Sequence, residues 1–208
     1  QGDWSSDVCS SDLLDQLLAE INADDGYGVC LMAQMDSVPD TLQFIIATTY
    51  YDEAVGGLRD KSRYILRAIG VQEHRISVGM FRKIAVHDSE NHPLLYEYNS
   101  LPTGLFFKGT PTDVNNLMVD VFQAYSSTFG LWRHLPQYMN IQKPLLDLFT
   151  GGGDLVGQMP KPLADKLEKV LIHHGLEAKV LVGEKHKEAP NMKALLFDES
   201  YIVAIDFS

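Results

Sequence analysis

Arg59, Arg63 and Arg67 recur every four residues in an otherwise acidic chain. On a helix, that spacing sets their guanidinium groups along one edge of the apolar face. A strip of this kind suits an anionic partner surface, because guanidinium pairs with carboxylates through two parallel hydrogen bonds. The bland alternatives are aliphatic stems laid over the core edge and pairing with acidic neighbours. A second candidate contact surface is the aromatic stretch 131–139, with Trp132 and Tyr138. Exposed Trp and Tyr are favoured interface anchors, and the same rings equally suit tethering the following chain to a sheet.

Acid–base or metal chemistry has one foothold. His87, His92 and Glu97 cluster around an expected hairpin turn, so a small-molecule or hydrolase site there is the alternative to a binding surface. His173 and His174 are adjacent at the end of an expected helix and point different ways, which makes them poor joint metal ligands. His134 has Arg133 beside it. "TGGGDLVG" is glycine-rich, but a phosphate loop needs Gly-x-x-x-x-Gly-Lys-Ser/Thr, and Gly157 is followed by Gln158 and Met159. It reads as a flexible linker. No catalytic residue, cofactor or metal is therefore assigned, and the expected function is non-enzymatic: regulation or scaffolding through protein contacts.

The chain has 208 residues, 45% hydrophobic and 22% charged, with a formal net charge of −11. An acidic surface disfavours nucleic acid and anionic membranes as partners. No apolar run approaches the ~18 residues that span a bilayer. Residues 3–13, Asp-Trp-Ser-Ser-Asp-Val-Cys-Ser-Ser-Asp-Leu, match the in-frame translation of a common short-read sequencing adapter. Residues 1–13 are accordingly expected to be an artefact that makes no contact with the fold, with the natural start missing. The chain also stops directly after a strand-like run, as a cut end would. With Cys9 set aside, only Cys30 remains, read as a small buried hydrophobe in a protein of the reducing cytoplasm.

Several elements would position these groups. Leu14, Leu17, Leu18 and Ile21 form one helix face. "VCLMAQM" and "TLQFIIATTYY" read as strands joined by a turn. Asp52 reads as the cap of a helix over 53–69, closed by Gly70. Residues 74–88 read as one long strand, with a bulge at Phe81-Arg82-Lys83. "LLYEYNS" and "GLFFKG" follow as strands. The clearest helix runs from a Thr110 cap to Gly130. Beyond it lie a short helix in "KPLLDLF", a helix over 162–174, a strand in "EAKVLVG" and a hairpin turning at 198–200. The fold class is α+β with an antiparallel sheet: a core over 14–130, and a helix-strand-hairpin extension over 131–208 packed on it.

The order helix, strand, strand, helix, three strands, helix over 14–130 resembles the Roadblock (dynein-light-chain-like) domain, a profilin-like fold. "GLFFKGTPTDVNNLMVDVFQAY" is similar to that family's last strand and last helix. The resemblance covers a little over half the chain and rests on topology. It implies a non-enzymatic homodimer that binds or regulates a small GTPase.

Overall fold

The computed structural model describes residues 10–140, 142–185 and 189–208. The chain forms two units, one ending at Asp88 and resuming at Met192, the other running over 89–191. In chain order the first unit contains α1 (Ser10–Ile21), β1 (Gly26–Met35), β2 (Thr41–Asp52), β3 (Gly57–Ile69), β4 (Glu73–Arg75), β5 (Gly79–Phe81) and β6 (Ile84–His87). The second unit follows with a short 3-10 helix (Pro93–Leu95), α2 (Tyr96–Asn99), β7 (Pro102–Lys108), α3 (Val114–Phe129), α4 (Leu145–Thr150), β8 (Gly153–Pro160), α5 (Lys161–His173) and β9 (Glu177–Val182). The chain returns to the first unit as β10 (Lys193–Phe197), β11 (Ser200–Ala204) and β12 (Asp206–Phe207). The α+β class with antiparallel pairing is what the sequence predicts.

The first unit holds a five-stranded sheet, β12-β3-β2-β1-β5, and a four-stranded sheet, β4-β11-β10-β6. Both feed one core with α1: Leu17 and Ile21 meet Phe44, Ile46, Tyr64 and Leu66 from one sheet and Leu195, Phe197 and Ile202 from the other. The second unit is the three-stranded sheet β8-β7-β9 with α3 and α5. Its core joins Leu105 and Phe107 to Leu117, Val121, Tyr125 and Phe129 of α3 and Leu163, Leu167 and Leu171 of α5.

The unit boundaries fall at 88/89 and 191/192, whereas the sequence division at Gly130 lies inside the second unit. The expected extension is thus shared out: its helices, β8 and β9 complete the second unit, and its hairpin completes the first. The adapter-like stretch overlaps α1 only through residues 10–13, of which Asp12 and Leu13 are exposed, and residues 1–9 lie outside the described residues.

The largest correction concerns 53–69. Residues 57–69 form the strand β3, paired along its length with β2. Tyr64, Leu66 and Ala68 point inward while Arg63, Ile65, Arg67 and Ile69 point out. Arginines spaced by an even number fit one strand face as well as a helix edge, and the two periods are confused in that run. Asp52 does cap, but it caps a turn: its Oδ1 accepts from the Ala54 N–H at 2.9 Å, and Gly56 takes φ +65°. The strand here leaves the Roadblock resemblance without its second helix.

Three smaller corrections share a cause in turn chemistry. The long strand over 74–88 is three short ones, and at the expected bulge the chain changes sheets. There the backbone N–H groups of Arg82 and Lys83 donate to the Asp198 carboxylate. "LLYEYNS" is helical, because His92 and Pro93 start a 3-10 turn in which the His92 ring accepts from the Leu94 N–H at 3.3 Å. Within "TGGGDLVGQMP", Gly153–Pro160 form a strand, β8, rather than a linker. The helix over 114–129 is capped by Asp113, not Thr110, and stops at Gly130 as expected.

Candidate functional site

The β2–β3 pairing decides what the three arginines can do. Thr48 pairs with Ser62 and Thr49 with Asp60, so Lys61 is an extra residue and the strand bulges. The bulge shifts the alternation. Arg63 and Arg67, opposite Ala47 and Gln43, lie on the sheet face away from α1, while Arg59, opposite Tyr50, lies on the other. No single arginine strip exists. Each arginine also has an acidic neighbour: Arg59 with Asp52 at 2.8 Å, Arg63 with Asp60 at 3.3 Å and Arg67 with Asp36 at 3.6 Å. Their charge is locally balanced rather than held open for a partner.

What that outer face offers instead is apolar surface. Ile65 is 63% exposed and Ile69 43%, and Met80 stands beside Val29 on the same face, 58% exposed. Ile65 stands opposite the half-buried Ile45, and Met80 lies in one row with Val29 and the buried Ala47.

The aromatic stretch is placed differently from its sequence reading. Tyr138 is only 5% exposed and stacks on Phe129 with ring centroids 5.0 Å apart. It is core, held by the close approach of β8: a Cβ on Gly157 would fall 1.9 Å from the Tyr138 carbonyl oxygen. Trp132 is half-buried, with its ring edge-on to His92 at 5.2 Å. Both rings anchor this segment within the second unit, and Tyr138 presents no surface to a partner.

Around Tyr138 the structure gathers a polar cluster that the sequence reading saw only in part. Arg133 is buried; its guanidinium donates to the Leu94 carbonyl at 3.3 Å and sits 3.8 Å from Glu97 Oε2. The same Oε2 accepts from the Gln137 amide at 3.1 Å and the Tyr138 hydroxyl at 3.2 Å. Burial, and then the Glu97 charge, push the Tyr138 hydroxyl above the ordinary tyrosine range. Burial pushes Tyr125 up to about 12, against the pull of Arg133. Glu97 opens onto a pocket of about 290 Å³ whose wall includes Ser100, Pro102, Gln158 and Met159. The Ser100 Oγ is buried and has no hydrogen-bond partner among the described residues. The Glu97 carboxylate, held by two hydrogen-bond donors beside the Arg133 charge, gives this pocket a fixed acceptor.

His87 ends β6 in the first unit, while His92 belongs to the second and caps its 3-10 helix. His174 pairs with Asp120, Nε2 to Oδ2 at 2.7 Å, joining α5 to α3, a contact no local spacing foretells. Among the described residues no three His, Cys, Asp or Glu side chains are grouped to hold a metal ion. No helix among them is long and apolar enough to cross a membrane. The sequence shows Arg133 only as a neighbour of His134 and gives no role to Ser100, because an arginine in a loop and a lone serine read as surface. The only signal was the aromatic density around Arg133. Comparison of the chain with protein-family profiles, curated proteins and solved structures finds no match.

Proposed function

We propose that the chain is a non-enzymatic interaction protein that self-associates through the outer face of the five-stranded sheet. The observation that carries this reading is the apolar group on that face: exposed Ile65 and Met80, joined through Ile45, Ala47 and Val29, with exposed Ile69 further along β3. Contiguous exposed apolar surface marks an interaction site. The occupant is a second copy on grounds of charge. At a net charge of −11, two copies repel wherever acidic surface meets acidic surface. Here Arg63 and Arg67 neutralise the carboxylates nearest the face, so this is where two copies meet at least cost. Cys30, a free thiol enclosed in the core, fits a reducing, cytoplasmic setting.

The test is molar mass by light scattering across a concentration series, comparing the unaltered chain with Ile65→Asp/Ile69→Asp. Both residues are largely exposed, so the substitutions should cost only about 1 kcal/mol of stability. The expected result is a dimer for the unaltered chain and a monomer for the double variant. A monomer in both cases, or a dimer in both, removes the sheet face from consideration.

A further inference from the structure

We propose that the pocket beside Glu97 in the second unit binds a neutral ligand carrying neighbouring hydroxyl groups, of the size of a single hexose. The pocket is walled by α2, the start of β7, the end of β8 and the segment holding Gln137 and Tyr138. Its volume is about 290 Å³. At roughly 30 Å³ per water, that is the space of about ten waters, which a hexose would displace.

Chemistry selects the ligand class. Two donors, the Gln137 amide and the Tyr138 hydroxyl, hydrogen-bond to Glu97 Oε2, and the Arg133 guanidinium stands 3.8 Å from it. Oε1 takes no hydrogen bond among the described residues, so a fixed carboxylate oxygen faces the ligand as an acceptor. Gln158 points out of β8 at the pocket wall, exposed, with its amide bound to nothing among the described residues. The buried Ser100 hydroxyl is also unsatisfied, and an unmet buried polar group at a pocket wall calls for a partner. Each ligand hydroxyl both donates and accepts, so two neighbouring ones satisfy a carboxylate oxygen and an amide together. Charge excludes the ionic classes. Arg133 already balances Glu97, so a cation would meet no net negative charge, and the pocket wall carries no lysine or arginine for an anion. Pro102, Met159 and Pro160 supply apolar contact for the carbon-bound hydrogens of a sugar ring.

The test is an amide-detected NMR titration of the full chain with D-glucose, D-galactose and D-mannose, and separately with ethanolamine and with inorganic phosphate. The expected result is a saturable shift of the Gln137 and Gln158 side-chain amides with at least one hexose below about 100 mM, an affinity natural for a small open site. Gln158→Ala, an exposed position that leaves the fold intact, and Glu97→Gln should each weaken that hexose by about tenfold. The proposal is overturned if no hexose shifts these amides saturably, if both variants bind as the unaltered chain does, or if ethanolamine or phosphate binds more tightly than every hexose.

Discussion

Burial separates the arginines of this chain by what each one does. The Arg133 side chain is 5% exposed, with a carbonyl and a carboxylate as partners, whereas that of Arg63 is 69% exposed beside a single aspartate. Arg133→Met strands the Leu94 carbonyl and leaves Glu97 without its cation. Because Glu97 keeps contact with water, the loss should stay near 1–3 kcal/mol, below that of a fully buried broken pair. Arg63→Met should change stability by no more than about 0.5 kcal/mol. Urea midpoints decide: equal shifts for the two variants would show that Arg133 does not organise its surroundings. The sequence made Arg63 conspicuous by its spacing and showed Arg133 only as a neighbour of His134. Spacing is visible in one dimension, whereas the burial that gives Arg133 its role comes from Leu94 and Glu97, 39 and 36 residues away along the chain.

Between elements, the β3 bulge is tied to α1 by a polar contact inside an otherwise apolar core. Glu20 of α1 accepts from the Thr48 hydroxyl at 2.6 Å, and Ser62, which flanks the bulge, reaches the same carboxylate at 3.4 Å. Burial works to raise the Glu20 pKa, but the Thr48 hydrogen bond and the Lys61 charge outweigh it, and the carboxyl sits below its ordinary value of 4.5. A depressed carboxyl stabilises the fold above the unfolded-state pKa, and that contribution drains away as pH falls through the folded value. Thr48→Val should therefore cost about 1–2 kcal/mol at pH 7. The gap from the unaltered chain should shrink as the pH is taken well below 4.5; a gap that is constant with pH would mean that the hydroxyl acts by packing alone. At this scale the sequence was legible where one period stood alone: α1, β1, β2, α3, α5 and the β10–β11 hairpin all lie where their patterns put them. It failed at 53–69, where Arg59, Arg63 and Arg67 suit either period. It failed again at 153–160, where a glycine run reads as a break although Gly157 is required by the close approach of the Tyr138 backbone. The pocket was half legible, through Glu97. Its other walls are brought together by β7–β8 pairing, which no local pattern encodes.

For the whole chain, the second unit is an insertion into the first. β6 ends at His87, which pairs with Ala194 of β10, so the two ends of the inserted segment leave from neighbouring positions of one sheet. Replacing 89–191 by a short Asn-Gly turn between Asp88 and Met192 should give a cooperatively unfolding protein with a sharp thermal transition. A broad, non-cooperative melt would mean that the first unit depends on the second. The same connectivity sets an order in time. Leu195, Phe197, Ile202, Ala204 and Phe207 of the first unit's core are made only after the second unit is complete. On the ribosome the contiguous second unit can close while α1 through β6 still wait for their last strands, since domains fold as units as they emerge. The half translated first is thus the half that finishes last, and until β10 arrives, the edge of β6 and the core side of α1 are the surfaces a chaperone would have to shield.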